Sequence, residues 1–188
     1  MKKKILNLVL LILFSVTASY SQSQREIADK KISCVESTTN DIRKGENVFR
    51  HTRTFYNAAG KTIELLEYDK SGAQTRHEKY DYNLHGDETE SSVVDSTGKT
   101  IKSTRTVYDK WNEAKIKTVL DGDGNIVEET DYTYNPDNDL VTEVTTNGTE
   151  KIIRTTLYEY DSKGMLTSKK ILNEKNEIIY SREYVYTY

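Results

Sequence analysis

Tyr68-Asp69-Lys70-Ser71-Gly72 recurs in degenerate form ten times along the chain, and that recurrence decides the fold. The copies begin at Tyr56, Tyr68, Tyr82, Val94, Tyr108, Leu120, Tyr134, Thr146, Tyr160 and Leu172. Their spacings alternate between 12 and 14 residues, so the full period is 26, and Tyr186 stands where an eleventh copy would begin. The second slot is Asp or Asn every time: Asn57, Asp69, Asn83, Asp95, Asp109, Asp121, Asn135, Asn147, Asp161 and Asn173. The fifth slot holds Gly60, Gly72, Gly86, Gly98, Gly124 and Gly164, with Asn112, Asn138 and Asn176 in three more copies and Glu150 in the copy that begins at Thr146. An internal period of this length marks a repeat architecture.

Hairpin chemistry explains both slots. An Asp or Asn side chain at the start of a turn accepts from its own backbone two residues on, and Gly or Asn tolerates the left-handed conformation that ends it. Pro136 is the only proline in the chain and follows Asn135 at the position where a fixed φ suits a type I turn. The segments between turns are eight or ten residues long, rich in Thr, Val, Ile and Tyr, and free of Gly and Pro, as strands should be. The pattern predicts an all-β antiparallel meander of about eleven strands over residues 47–188, forming a single curled or coiled sheet. A closed up-and-down barrel is the alternative.

All thirteen tyrosines from Tyr56 onward have even numbers. Both spacings are even, so one parity is expected to mean one face: every tyrosine on one side, with Leu66, Ile116, Leu120 and Leu172, and Val119 and Ile171 on the other. If both ends use the same turn, crossing two strands moves the pairing row 24 or 28 residues while the repeat advances 26. That slip of two residues corresponds to a strand tilt of roughly 35°. Charges such as Glu64, Glu90 and Arg154 on one parity and Lys79, Lys115 and Glu129 on the other exclude a lipid-facing barrel.

The flanks set the compartment. Lys2, Lys3 and Lys4 precede an apolar run over residues 5–16 and then small residues, so residues 1–21 read as a secretory signal peptide, without lipid attachment. Residues 22–46 read as an adaptor, with an extra strand near Ile32–Val35 to cap the first edge. The mature protein is expected to be exported, periplasmic or secreted, and not to span the membrane. With 188 residues and a formal charge of −3, a strongly basic nucleic-acid binder is excluded, and a lone Cys34 excludes a disulfide framework.

Tyr68-Asp69-Lys70-Ser71-Gly72 and Tyr160-Asp161-Ser162-Lys163-Gly164 resemble the YD repeats of RHS-type proteins, over about residues 47–188. The resemblance implies an exported sheet built of spiralling β-hairpins, in the manner of small stand-alone members of that class. It carries no site residues with it, since the arginine that often follows the turn glycine is replaced here by Lys61, Ala73, Asp87, Lys99 and Met165.

Catalytic signatures are absent from the sequence. Asp121-Gly122-Asp123-Gly124-Asn125 lacks the Gly and Glu that a helical calcium loop needs at its sixth and twelfth positions, and fits the turn slots instead. His51, His77 and His85 lack zinc-ligand spacing, and no P-loop or nucleophile elbow occurs, so neither a cofactor nor a metal is expected. The tyrosine face is the one feature with functional content. Either its rings form the core of an inward-curling sheet, which is the expectation, or they present a binding surface made of Tyr82, Tyr108, Trp111, Tyr132, Tyr134, Tyr158 and Tyr160 to a protein or glycan partner. A non-catalytic envelope or extracellular module is the functional expectation, with a small hydrolase-like enzyme as the alternative.

Overall fold

The computed structural model describes residues 23–41 and 48–187; the expected signal peptide lies outside them. A short helix α1 (Gln24–Asp29) precedes twelve strands: β1 (Cys34–Asp41), β2 (Val48–Tyr56), β3 (Thr62–Tyr68), β4 (Gln74–Tyr82), β5 (Glu88–Val94), β6 (Thr100–Tyr108), β7 (Ala114–Asp121), β8 (Ile126–Tyr134), β9 (Leu140–Asn147), β10 (Ile152–Tyr160), β11 (Leu166–Asn173) and β12 (Ile178–Glu183). They pair in chain order in one antiparallel sheet. β1 and β12 lie at its two ends and do not pair with one another, so the barrel alternative is rejected.

The turns form as their two slots require. Asp69 N–H donates to Ala73 O at 2.9 Å and Gly72 N–H to Asp69 O at 3.0 Å, while Asp69 Oδ1 accepts from Ser71 N–H at 2.8 Å and Ala73 N–H at 3.0 Å. Asn135 does the same for Asp137 and Asp139 at 3.0 and 2.8 Å. The fifth slot is left-handed throughout, with φ of +82° at Gly72, +70° at Asn138 and +60° even at Glu150. This is a type I turn closed by a left-handed residue, at both ends of the sheet.

The slip follows. Arg53 faces Leu66, which faces His77, an advance of 24; Glu64 faces Lys79, which faces Ser92, an advance of 28. The parity argument does not survive. Just after each turn from β3 onward the register shifts by one residue, as where Glu67 faces Arg76 but Tyr68 faces Gln74. Such a bulge adds one residue to one strand. Even positions therefore oppose odd ones, and the faces alternate parity from strand to strand. The tyrosines still share a face because, except for Tyr68, those in strands lie on β2, β4, β6, β8, β10 and β12. Tyr68 is on the reverse, its ring 6.1 Å from that of its partner His51. Leu66, Ile116, Leu120 and Leu172 also move to the reverse, and Val119 and Ile171 join the tyrosines.

One layer of sheet has no second layer to bury against. Among the described residues the buried apolar side chains are Ile27 and Val94, and the other buried positions are the small residues Gly60, Ser103, Thr145, Thr156 and Ser168. Tyr108, Tyr132, Tyr134, Tyr158 and Tyr160 are half-buried. The rings cover the sheet without forming an enclosed core, contrary to the inward expectation.

The adaptor contains a helix that the sequence reading lacks. Ser23 caps it, its Oγ accepting from Glu26 N–H at 3.2 Å, and Lys30 pairs with Glu26 at 2.6 Å. Ile27, 2% exposed, seats α1 against the first turn, where Gln24 Nε2 donates to Ala59 O at 3.1 Å. The capping strand lies at Cys34–Asp41, further along than Ile32–Val35.

Candidate functional site

The turns after β2, β4, β6, β8 and β10 form one edge of the sheet. Each of these strands ends in the first-slot residue of its turn: Tyr56, Tyr82, Tyr108, Tyr134 and Tyr160, with Tyr186 in register beyond β12. Their hydroxyls reach back across the sheet. Tyr82 donates to Thr62 O at 2.7 Å, Tyr108 to Glu88 O at 2.8 Å, Tyr134 to Ala114 O at 2.9 Å, Tyr160 to Leu140 O at 2.8 Å and Tyr186 to Leu166 O at 2.8 Å. Each acceptor opens the preceding strand, and each bond spans 20 residues. The tyrosines clamp one hairpin to the next. The sequence carries this signal: at the 26-residue period the first slot is always Tyr on this edge, and Tyr, Val, Leu, Thr or Leu on the other.

A second ladder runs through the turns. Asn112 Nδ2 donates to Asp87 Oδ2 at 2.6 Å and Asn138 Nδ2 to Glu113 Oε1 at 2.8 Å, each linking a left-handed Asn to the residue after the previous turn. The Asn112 bond is the main cause holding Asp87 below the usual carboxylate range.

Between successive turns lie open grooves. Tyr108, Trp111, Tyr132 and Tyr134 line one of about 990 Å³, together with Val107 and Pro136. Tyr158 and Tyr160 line the next, and Tyr82 shares the first with Ile27 and Tyr56. Trp111 is 68% exposed, with Lys110 Nζ 4.0 Å from its ring centroid. Its backbone N–H is held by Asp109 Oδ1 at 2.8 Å, which fixes the turn backbone that carries the exposed indole.

Further along the same face, Tyr158 donates to Glu143 Oε1 at 3.0 Å, and Tyr132 stands opposite Glu143. Burial raises the Tyr158 hydroxyl pKa, and the Glu143 hydrogen bond raises it further. Burial also raises Tyr80, which donates to Glu78. Tyr80 was not singled out by sequence, and parity puts Glu143, an odd residue, on the face opposite the tyrosines; only the bulged register brings it to theirs. The six candidate tyrosines therefore lie on one face, concentrated toward one edge, and Trp111 stands in the turn at that edge.

The turn residues Asp95, Gly98, Asp121 and Gly124 lie on the far edge. Asp121 Oδ1 is occupied by the N–H groups of Asp123 at 3.0 Å and Asn125 at 2.9 Å. Among the described residues no group of three or more His, Cys, Asp or Glu side chains could hold a metal ion. His77 instead pairs across strands with Glu64 at 2.7 Å.

No family model matches the chain, and no curated protein matches it. Among solved structures it is similar to the Photorhabdus luminescens Tc holotoxin pore, at 15% identity and a TM-score of 0.44. It is also similar to a porin-like protein from Bacteroides uniformis, at 12% identity and a TM-score of 0.40. The alignments cover 78% and 82% of this chain but only 9% and 56% of those proteins.

Proposed function

We propose that this chain is an exported, non-catalytic β-repeat module of the YD-repeat kind that binds a protein or glycan partner along its tyrosine edge. The observation that carries the reading is Trp111, an exposed indole set in a rigid turn between two grooves and flanked by Tyr108 and Tyr134. Aromatic side chains with a polar tip give contact area at low entropic cost, which suits them to recognition. The hydroxyls are spent on the carbonyl clamps, so the rings and not the phenols are what the edge offers a partner. Export rests on the basic and apolar leader of residues 1–21.

Two measurements test this. Intact mass of the exported species is expected to show a mature start near Ser19 or Gln22; retention of residues 1–18 would remove the export claim. A photo-cross-linking benzoylphenylalanine replacing Trp111 is expected to trap a discrete partner in envelope extracts, and the same group replacing Lys70 on the far edge is not. Equal or absent trapping from both positions would refute the tyrosine edge as the binding surface.

A further inference from the structure

Among the described residues β1 and β12 each pair on one side only, and their open sides differ. The exposed stretch of β1, from Glu36 to Asn40, is polar throughout. β12 is exposed along its whole length and carries Ile178, Ile179 and Tyr180 at 58%, 63% and 43% exposure. Tyr184 N–H donates to Thr167 O at 2.9 Å, so by antiparallel alternation Arg182 also turns its backbone groups toward β11. Ser181 and Glu183 turn theirs to the open side. A strand with apolar side chains and a free ladder is a template for another strand.

Charge selects which strand. Residues of opposite sign face each other across this sheet: Arg53 with Glu36, Arg76 with Glu67, Lys79 with Glu64, Arg105 with Glu90 and Lys102 with Asp121. Two facing pairs are alike in sign. Asp81 faces Glu90, and the next strand balances that pair, since Arg105 lies opposite Glu90 with Nε 3.1 Å from the carboxylate. Lys169 faces Arg182, and among the described residues neither pairs with an acid. Each base rests on a ring instead, Lys169 Nζ 5.0 Å from the Tyr158 centroid and Arg182 Cζ 5.1 Å from that of Tyr184. Like charges directly opposite are destabilising, and the place from which Arg105 relieves the first pair lies, for the second, beyond β12.

We propose that β12 accepts an extended segment of a partner protein as a further antiparallel strand, with Asp or Glu opposite Arg182 and apolar residues opposite Ile179 and Tyr180. In such strand addition the backbone gives affinity and alternate side chains give specificity. Toward the open side Arg182 takes the position that exchanges no backbone bonds, where facing side chains lie closest. A second copy does not supply the acid. On the face of Arg182 another β12 offers Tyr180 and Tyr184, and β1 offers Val35, Ser37 and Thr39, with Asp41 at its last position. Setting Asp41 opposite Arg182 carries β1 past Tyr184 and leaves Ile179 and Tyr180 beyond its end. This surface is the end of the sheet and is independent of the tyrosine edge.

The full mature chain is titrated with capped, labelled Thr-Thr-Glu-Thr-Val-Val-Thr, with the same peptide carrying Lys in place of Glu, and with hexaglutamate. The Glu peptide is expected to bind several-fold more tightly than the other two. On binding, the Ser181 and Glu183 amides are expected to gain protection from exchange, while that of Arg182, already turned to β11, changes little. Arg182→Glu is expected to reverse the preference in favour of the Lys peptide. Ser181→Pro removes an outward N–H and is expected to weaken binding about tenfold. Both positions are exposed, and urea midpoints near that of the parent chain would show that the fold is kept; the charge reversal serves alone if the proline disturbs the ladder. Failure of the Glu peptide to bind, or equal binding of the Lys peptide, would overturn the proposal. Equal binding of hexaglutamate would reduce the surface to a cationic patch and overturn it too. So would self-association in sedimentation velocity that Ser181→Pro abolishes, since a second copy would then occupy β12.

Discussion

The two edges of the sheet are made from the same turn and held in different ways. On the tyrosine edge, each turn is tied to its neighbour by a phenol-to-carbonyl bond, and two of them also by an Asn side chain. On the far edge the first slot holds Tyr68, Val94, Leu120, Thr146 and Leu172; the space beside Gly72, Gly98 and Gly124 is open, as it is beside Gly164 on the tyrosine edge, while Gly122 and Gly148 stand against the backbone of the preceding hairpin. Far-edge turns meet through exposed ion pairs, Lys99 with Asp123 at 3.5 Å and Lys151 with Glu174 at 3.1 Å, and at one place through the backbone, where Gly148 N–H donates to Val127 O at 3.0 Å. Exposed pairs contribute about 0–1 kcal/mol, whereas a hydrogen bond that replaces water inside a packed edge contributes about 0.5–1.5 kcal/mol. Turn chemistry shapes the hairpins; the tyrosine before each turn adds a phenol clamp to the next hairpin on one edge only.

The largest test of this contrast lies at two glycines. A Cβ at Gly60 would sit 2.2 Å from Gln24 O of α1, while one at Gly72 meets nothing within 4 Å, and both glycines have positive φ. Gly60→Val is expected to lose about 3 kcal/mol or more in urea unfolding, from left-handed strain plus collision with the helix. Gly72→Val should lose about 1–2 kcal/mol, the backbone strain alone. Equal losses would mean that α1 does not hold the tyrosine edge.

Next come the clamps. Tyr134→Phe removes the bond to Ala114 O and is expected to cost about 1 kcal/mol, with faster amide exchange across β7 and β8. Tyr68→Phe, on the reverse face at the far edge, is expected to leave the urea midpoint unchanged. If both behave alike, the first slot does not distinguish the edges.

Acid should separate four of the aspartate turns, three on the far edge and Asp161 on the tyrosine edge, from the asparagine turns, with a gentler effect. Asp69, Asp95 and Asp121 on the far edge all have pKa values lowered, chiefly by the side chains of Ser71, Thr97 and Asn125 and then by turn N–H groups. A lowered carboxylate pKa stabilises the fold above the unfolded value of about 3.9 and ceases to do so as pH falls through the folded value. On the tyrosine edge Asn57, Asn83 and Asn135 hold the same slot and do not titrate, while Asp161, held low by the backbone N–H groups of Met165 and Lys163, behaves as the far-edge aspartates do. Below about pH 4, hydrogen exchange is therefore expected to rise first in the turns at Asp69, Asp95, Asp121 and Asp161 and last in those at Asn57, Asn83 and Asn135, and Asp95→Asn should remove that response locally.

The smallest effect should be at Asn138. Glycine would relieve its φ of +70° but lose the bond to Glu113, so Asn138→Gly is expected to move stability by no more than about 0.5 kcal/mol. A clear gain in melting temperature would show that the Asn ladder contributes nothing.

Most of the architecture was legible because its causes are local. Asp or Asn with Gly four positions after the strand end encodes a turn wherever it stands, and alternating 12 and 14 residues encode the slip seen at Arg53, Leu66 and His77. The candidate surface was half legible. Even numbering grouped the tyrosines correctly for the wrong reason, since the bulges reverse parity at every crossing and the rings stay together only by lying on alternate strands.

By itself, then, the sequence determined the turns, the strands, the 26-residue period and the register slip, because each depends on residues within one hairpin. Tertiary structure alone decided which face each aliphatic takes, that Glu143 meets Tyr132 and Tyr158, that α1 closes over Gly60, and that β1 and β12 stay apart. A bulge changes no spacing between turns, so nothing in the period reports it. A helix seated on another hairpin, or the meeting of two sheet ends, is settled by contacts between residues far apart in the chain.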